Sequence, residues 1–398
     1  MLLRTNRYPL HHGTLAAVRS LGRAGVEVHA ILERDAVPAG RSRYLHRRHD
    51  WGPLPHQGTA LTGHLEDVAT RIGRPALLIP LDDAGAIYIA ENAAALRSAF
   101  VFPAQSPDTP RMVADKASLM RSAERHGIAT PASRTPTTDT EVGDAVAELE
   151  LPLIAKWARP WRLPAGRRST TMVTTRQQLE ELLTGSREPL TQAAGPLILQ
   201  RRISPEGGDW FFQGYFDASS TCLFGGTGRK HVARPVHAGH TVAGEWVLNP
   251  QLEQVAHRIV RSLGYTGLVD LDFRFDNESG TYQLLDFNPR LGAQFRIFHD
   301  RQHLDLVRAL HLHQSGQHVP RPQPAPGRTL IVENQYLQHT VTSLAHPLRA
   351  RRPAELAWWA ADDPRPFLSM GRHTLAKALG KGVRARNALT GSGRRGRR

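Results

Sequence analysis

Residues 267–290 read GLVDLDFRFD (267–276), NESG (277–280) and TYQLLDFNPR (281–290). The two flanking runs are rich in aromatic and β-branched residues, and the four residues between them suit a hairpin turn. Side chains alternate across a strand, so Asp270 and Asp272 share one face while Leu271 and Phe273 share the other. In the second run Asp286 and Asn288 share a face in the same way. Paired strands bring Asp272, Asp286 and Asn288 onto one surface. Two carboxylates and an amide oxygen are hard ligands, suited to Mg²⁺ rather than zinc. Magnesium keeps waters and shares its shell readily with phosphate oxygens, which points to a nucleotide as the third partner. Arg290, just past Pro289, offers fixed positive charge to such a phosphate. Taken singly, each residue is equally at home on a solvated strand face, and Asn-Pro is an ordinary turn signal.

Working outward, Asn249 and Pro250 suit the N-cap and first turn of a helix whose apolar face is Leu252, Val255, Ile259 and Leu263, ended by Gly264. The runs LPLIAKWA (151–158), PLILQRR (196–202) and DWFFQGYFD (209–217) read as strands. A polar helix is expected near 140–150, and another from Thr175, where Thr175 and Gln178 have capping-box spacing. Residues 115–127, DKASLMRSAERHG, form a short helix closed by Gly127, followed by the strand-like IATPASRT. Before residue 109 strand and helix signals alternate. A helix over 14–24 precedes the strand VEVHAIL, and the apolar run ALLIP (76–80) precedes Asp82, Asp83 and a helical segment.

The run DFRFD followed by LLDFNPRLG resembles the closing signature of the ATP-grasp superfamily, an acidic residue on one strand and then an E-x-N-P-R-like stretch. Asp286 stands where glutamate is commoner. The resemblance implies that Asp272, Asp286 and Asn288 hold Mg²⁺ (or Mn²⁺) bridging ATP phosphates, and that Arg290 acts on the phosphates as a catalytic contact. VADKASLM resembles the element that opens the ATP-grasp domain and implies Lys116 near the phosphates. PLIAKWA resembles the strand of the second lysine, giving Lys156 a phosphate-binding and catalytic role. PLILQRRI resembles the adenine hinge, with Gln200 at the adenine amino group, backbone groups of Arg201 and Arg202, and Ile203 against the ring. Asp209, in EGGDW, is the candidate for the ribose hydroxyls. The covering loop WARPWRLPAGRRSTT holds one glycine, Gly166, so Arg159, Arg162, Arg167 and Arg168 are candidates to close over ATP by charge.

The expected architecture is mixed α/β and α+β. Residues 1–108 form a pre-ATP-grasp α/β domain, and 109–312 a two-lobed ATP-grasp domain with its lid at about 130–202. A proline-rich connector follows at 319–327, then a small C-terminal region at 328–372 and a basic, disordered tail at 373–398.

The net charge of +15 invites a nucleic-acid reading, but its distribution narrows that. Ten basic residues follow the last acidic one, Asp363, and the other 41 exceed the 36 acidic residues by five. A nucleic-acid partner is therefore an expectation for the tail alone. The single cysteine, Cys222, excludes an intrachain disulfide and a cysteine-based zinc site. No stretch approaches the ~18 apolar residues of a spanning helix, so the expectation is a cytoplasmic protein without membrane contact.

The implied reaction is attack of a carboxylate on the γ-phosphate of ATP, followed by displacement of phosphate by an amine. The segment GGTGRKHVARPVHAGHT (225–241) reads as the acceptor-side loop, with Arg229, Lys230 and Arg234 as candidate carboxylate binders. His231, His237 and His240 in the same segment suggest a zinc site only weakly, because histidine is frequent throughout the chain. The small-molecule acid and amine are not specified, and an oligomer is compatible with the sequence. Two other readings remain: an ATP-grasp phosphotransferase without ligation, and a non-catalytic nucleotide or polyanion binder using the tail.

Overall fold

A computed structural model of the chain describes residues 1–33, 37–53, 58–164, 166–186, 188–235, 239–343 and 354–377. The last 21 residues, which hold seven of the ten basic residues after Asp363, lie outside this set, as does His237.

The chain begins with a parallel layer. Strands β1 (Leu2–Leu3), β2 (His29–Leu32) and β3 (Arg47–Asp50) run side by side. The ALLIP run supplies β4 (Ala76–Leu77), paired with β6 (Phe100–Val101), and β5 (Ile79–Pro80), paired with β1. Successive N–H groups of an extended chain point opposite ways. Leu78 donates to Val101 (2.9 Å) while Ile79 donates to Met1 (2.9 Å), so one run bridges two neighbours. The first helix spans His12–Arg23, two residues earlier than its apolar face suggests, because His11 caps it by accepting from Thr14 N. Asp82 caps the helix Asp83–Glu91 and accepts from Thr5 N (2.6 Å) and Asn6 N (2.7 Å), which fixes the turn after β1.

A second, antiparallel sheet has the order β7-β10-β8-β9, made of β7 (Ser133–Arg134), β8 (Leu153–Trp157), β9 (Thr170–Val173) and β10 (Leu197–Arg201). The strand expected over 128–135 contracts to two residues, since Pro131 lacks the N–H a ladder needs. At Thr175 the expected box is divided: Gln178 N donates to Thr175 Oγ1, but the Gln178 side chain accepts from Thr174 N.

The third sheet is the largest. Its strands are β11 (Asp209–Phe216), β12 (Cys222–Arg234), β13 (His240–Trp246), β14 (Gly267–Asp276), β15 (Thr281–Asn288), β16 (Thr329–Ile331) and β17 (Ala354–Leu356). They run in the order β15-β14-β11-β12-β13-β16-β17. The helix Pro250–Ser262 covers one face, burying Leu252, Ala256, Ile259 and Val260 with Val255 and Leu263 at the margin.

Here the structure corrects the expected C-terminal layout. Residues 328–372 are not a separate small region, because β16 pairs with β13 and β17 extends the same sheet. Trp358 is fully buried in a core shared with Leu15, Val18 and Phe298. The proline-rich connector is tied to the core, since Gln323 N donates to Asp300 and Gly327 N to Trp246. Residues 365–377, read as tail from 373 onward, are helical, and Met370 is buried.

Arg19 ties the first helix to the segment around Asp363. Its Nε lies 3.0 Å from Asp363 Oδ2 with both side chains almost wholly buried, and Asp363 also accepts from Ser42 Oγ and Arg43 N. Losing one partner of a buried pair leaves an uncompensated charge. Asp363→Ala is therefore expected to destabilise the protein by about 3–5 kcal/mol. The exposed pair Arg23–Asp362 is expected to contribute less than about 1 kcal/mol. Urea denaturation of Asp363→Ala and Arg23→Ala checks the contrast.

Candidate active site

In β14 and β15, Asp272 stands directly opposite Asp286 and Asp270 opposite Asn288, with a register shift just after Asp272. Two carboxylates facing each other repel unless cations intervene. Three lysines from three different elements do so. Lys116, the first residue of the helix Lys116–Arg125, bonds Asp286 Oδ1. Lys156 of β8 lies 3.7 Å from the same oxygen and donates to Leu285 O at 3.0 Å. Lys230 of β12 lies 2.6 Å from Asp272 Oδ1.

These neighbours set the charges. Burial pushes the Asp286 carboxyl upward, but Lys116 and Lys156 overcome it and hold the pKa at about 2. Burial raises Asp272, with Lys230 opposing. The Lys156 ammonium is depressed by burial and partly restored by Asp286. Asn288 Nδ2 donates to Asp270 O at 2.9 Å, leaving its amide oxygen for a ligand. Asp272, Asp286 and Asn288 therefore form an oxygen donor set that fits Mg²⁺.

Asp115 holds Lys116 in place. One carboxylate oxygen caps the helix at Ser118 N (3.0 Å) and the other accepts from Arg159 Nε (2.8 Å). Arg159 is thus tied to the helix entrance, and Arg167 is paired with Glu188 (2.9 Å). All four arginines of that loop are exposed, and Arg159 and Arg167 are the two held by ion pairs.

Arg290 sits between two acids: its Nη1 donates to Asp270 Oδ2 at 2.5 Å and its Nε lies 3.5 Å from Asp83 Oδ1. Gln213 Nε2 donates to the other Asp270 oxygen at 2.8 Å.

A cleft between the second and third sheets joins these groups to the expected hinge. Its walls include Ile154, Lys156, Gln200, Ile203, Lys230 and Asp286. Gln200 Nε2 donates to Ser133 Oγ (3.0 Å), which leaves its carbonyl oxygen as an acceptor for an amino group. The Arg201 N–H is committed to Ala132 O (2.8 Å), so its backbone offers the carbonyl only. Arg202 Nε is buried with no hydrogen-bond partner among the described residues, and Ile203 is buried on the cleft wall. One oxygen of Asp209 accepts from Arg274 Nε at 2.6 Å.

No protein-family model and no curated protein matches the sequence. Solved structures do match in fold. A biotin carboxylase from Campylobacter jejuni, crystallised with a β,γ-ATP compound, superposes with a TM-score of 0.60 at 16% identity, over 80% of this chain and 71% of that one. An L-amino acid ligase from Bacillus licheniformis gives 0.59 at 15%, over 82% and 77%. A carboxyaminoimidazole ribonucleotide synthase from Aspergillus clavatus, complexed with ATP, gives 0.60 at 12%, over 87% and 86%. The chain has the ATP-grasp fold.

Within this ATP-grasp fold two expectations change. Of the segment 225–241, read as a loop, residues 225–234 lie in strand β12 and 240–241 in β13. Its glycines are there for room: a Cβ at Gly225, Gly226 or Gly228 would meet the rings of Phe212, Phe298 or Phe211. Strand alternation then separates two residues grouped together above. Lys230 faces the acids, whereas Arg229 is exposed and stacks over Trp210 at 5.5 Å. Arg234 ends β12, opposite His240, and its Nη1 is buried without a hydrogen-bond partner among the described residues. The two described histidines of that segment pair separately, His231 with Glu245 and His240 with Gln335.

Sequence reasoning gave no role to Asp270 or Asp115 and named Asp83 only among unranked N-terminal candidates for the substrate cleft, yet each of the three positions a predicted cation. The alternation that selected Asp272 placed Asp270 beside it, and that was the available signal.

Proposed function

We propose that the chain is a Mg²⁺-dependent ligase that uses ATP to join a carboxylic acid to an amine, releasing ADP and phosphate. The observation that carries this reading is the direct pairing of Asp272 with Asp286, flanked by Asn288 and ringed by Lys116, Lys156 and Lys230. Such a site binds metal and polyphosphate together. Bound Mg²⁺ (or Mn²⁺) would neutralise phosphate charge and orient the terminal phosphoryl group. The residues do the rest by position. Lys116 and Lys156 would exchange Asp286 for phosphate oxygens, and Arg290, fixed by Asp270 and Asp83, would meet the charge that builds on the transferred group. The substrate carboxylate oxygen bonds to the γ-phosphorus as ADP leaves. The amine nitrogen then bonds to the acyl carbon as phosphate leaves, and a proton passes to solvent. Gln200, Ile203 and Asp209 would seat adenine and ribose, and Arg234 is retained as a candidate for the acid. Residues 1–108 would serve as the pre-ATP-grasp layer and about 130–202 as the lid that excludes water.

Full-length protein with Mg·ATP, a panel of carboxylic acids and hydroxylamine tests this. Acid-dependent release of ADP with hydroxamate is expected. ADP with an accumulating phosphorylated acid would indicate phosphotransfer instead, and no acid-dependent ADP across a broad panel would overturn ligation. Because Phe367 and Met370 pack into the core, the truncation that asks about the tail should begin at residue 378. It is expected to spare turnover.

A further inference from the structure

In the N-terminal parallel layer, on residues that do not line the proposed nucleotide cleft, three side chains bring metal-binding atoms together. His29 is buried at the start of β2, Glu27 lies just before it, and His46 precedes β3. His29 Nε2 is 2.7 Å from Glu27 Oε1, His46 Nε2 is 3.5 Å from the same oxygen, and the three donor atoms all lie within 4.8 Å of one another. We propose that Glu27, His29 and His46 form a zinc site, with the fourth position open to water.

Two imidazole nitrogens and one carboxylate oxygen favour zinc over the hard ions of the nucleotide cleft. Tetrahedral zinc with bonds of about 2.0–2.1 Å separates its donors by roughly 3.4 Å. Here the shortest separation, 2.7 Å, must open by about 0.7 Å and the longest must close. Glu27 and His46 are free enough to do both, since the His46 side chain is 57% exposed and the Glu27 side chain 33%.

The surroundings are those of a ligand set. His29 Nδ1 lies 2.9 Å from Nε2 of the buried His49, and the two rings stack. A proton on His29 Nδ1, donated to His49, leaves the His29 Nε2 lone pair directed at the metal. Arg74 Nη2 holds the second Glu27 oxygen at 2.5 Å, so Oε1 is the oxygen left for coordination. The ion would tie the entry of edge strand β3 to β2, and binding would raise thermal stability.

The test is zinc titration of the full-length protein against a chromophoric chelator, with X-ray absorption of the one-equivalent complex. One tight equivalent with two imidazoles and one carboxylate is expected, together with a zinc-dependent rise in Tm. His46→Ala and Glu27→Gln, both at exposed positions, should each weaken that equivalent by about tenfold or more and remove the Tm rise. Asp272→Asn should retain it, which separates this site from the nucleotide cleft. Uptake unchanged in His46→Ala, or no tight equivalent in the unaltered protein, overturns the proposal.

Discussion

If the proposed ligase reaction holds, Asp272→Asn is expected to lower ATP turnover about a thousandfold, because losing the anionic ligand proposed for Mg²⁺ would remove several kcal/mol of charge stabilisation at the transferring phosphate. The substitution also acts on the protein without nucleotide. Lys230 is almost wholly buried and lies 2.6 Å from Asp272, and Asp272 is the nearest of the acids that sustain its charge against burial. An amide cannot replace that carboxylate, so the variant leaves an ammonium buried beside a neutral group, at a cost of about 3–5 kcal/mol. Adding Lys230→Met should recover much of the stability and none of the turnover. Coupled ADP assays and urea denaturation of the single and double variants separate the two effects. Turnover recovered by Lys230→Met would mean that Asp272 serves only to neutralise the lysine.

How far this site could be read from the chain depends on sequence distance. Asp270, Asp272, Asp286 and Asn288 lie on strands joined by a four-residue turn, so alternation alone places them on one surface. Lys116 and Lys156, which the structure places beside Asp286, were proposed only through resemblance, since a lone lysine on a helix or strand carries no local signal. The partner of Lys230 was not visible. The lysine reaches Asp272 across β11, which lies between β12 and β14 in the sheet, and no local pattern specifies that neighbour.

The same distance hid the C-terminal strands. β16 pairs with β13 some eighty residues earlier, and three-residue strands have too little periodicity to announce themselves. Glycine misled in the opposite direction. Gly225, Gly226 and Gly228 looked like loop residues, but they lie in a strand pressed against aromatic rings, where any side chain would collide. A composition signal cannot distinguish glycine chosen for turning from glycine chosen for close packing.

Gly292 is a further glycine of the packing kind, and it leads to the other large effect. A Cβ there would overlap the side-chain amide of Gln213 and the carboxyl carbon of Asp270. Those two groups bond each other at 2.8 Å, and Asp270 in turn holds Arg290. Gly292→Ala should therefore push Asp270 away from the guanidinium, with an overpacking cost of about 1–3 kcal/mol. The residues proposed to seat adenine, Gln200 and Ile203, are not among these groups, so KM for ATP should move little while kcat falls about a hundredfold. Arg290→Lys provides the comparison, because lysine keeps the charge but not the fork that reaches Asp270 and Asp83 together. If both variants act through the aim of Arg290, the double variant should be little worse than Arg290→Lys alone. Losses that multiply would mean that Gly292 supports the site by a route independent of Arg290.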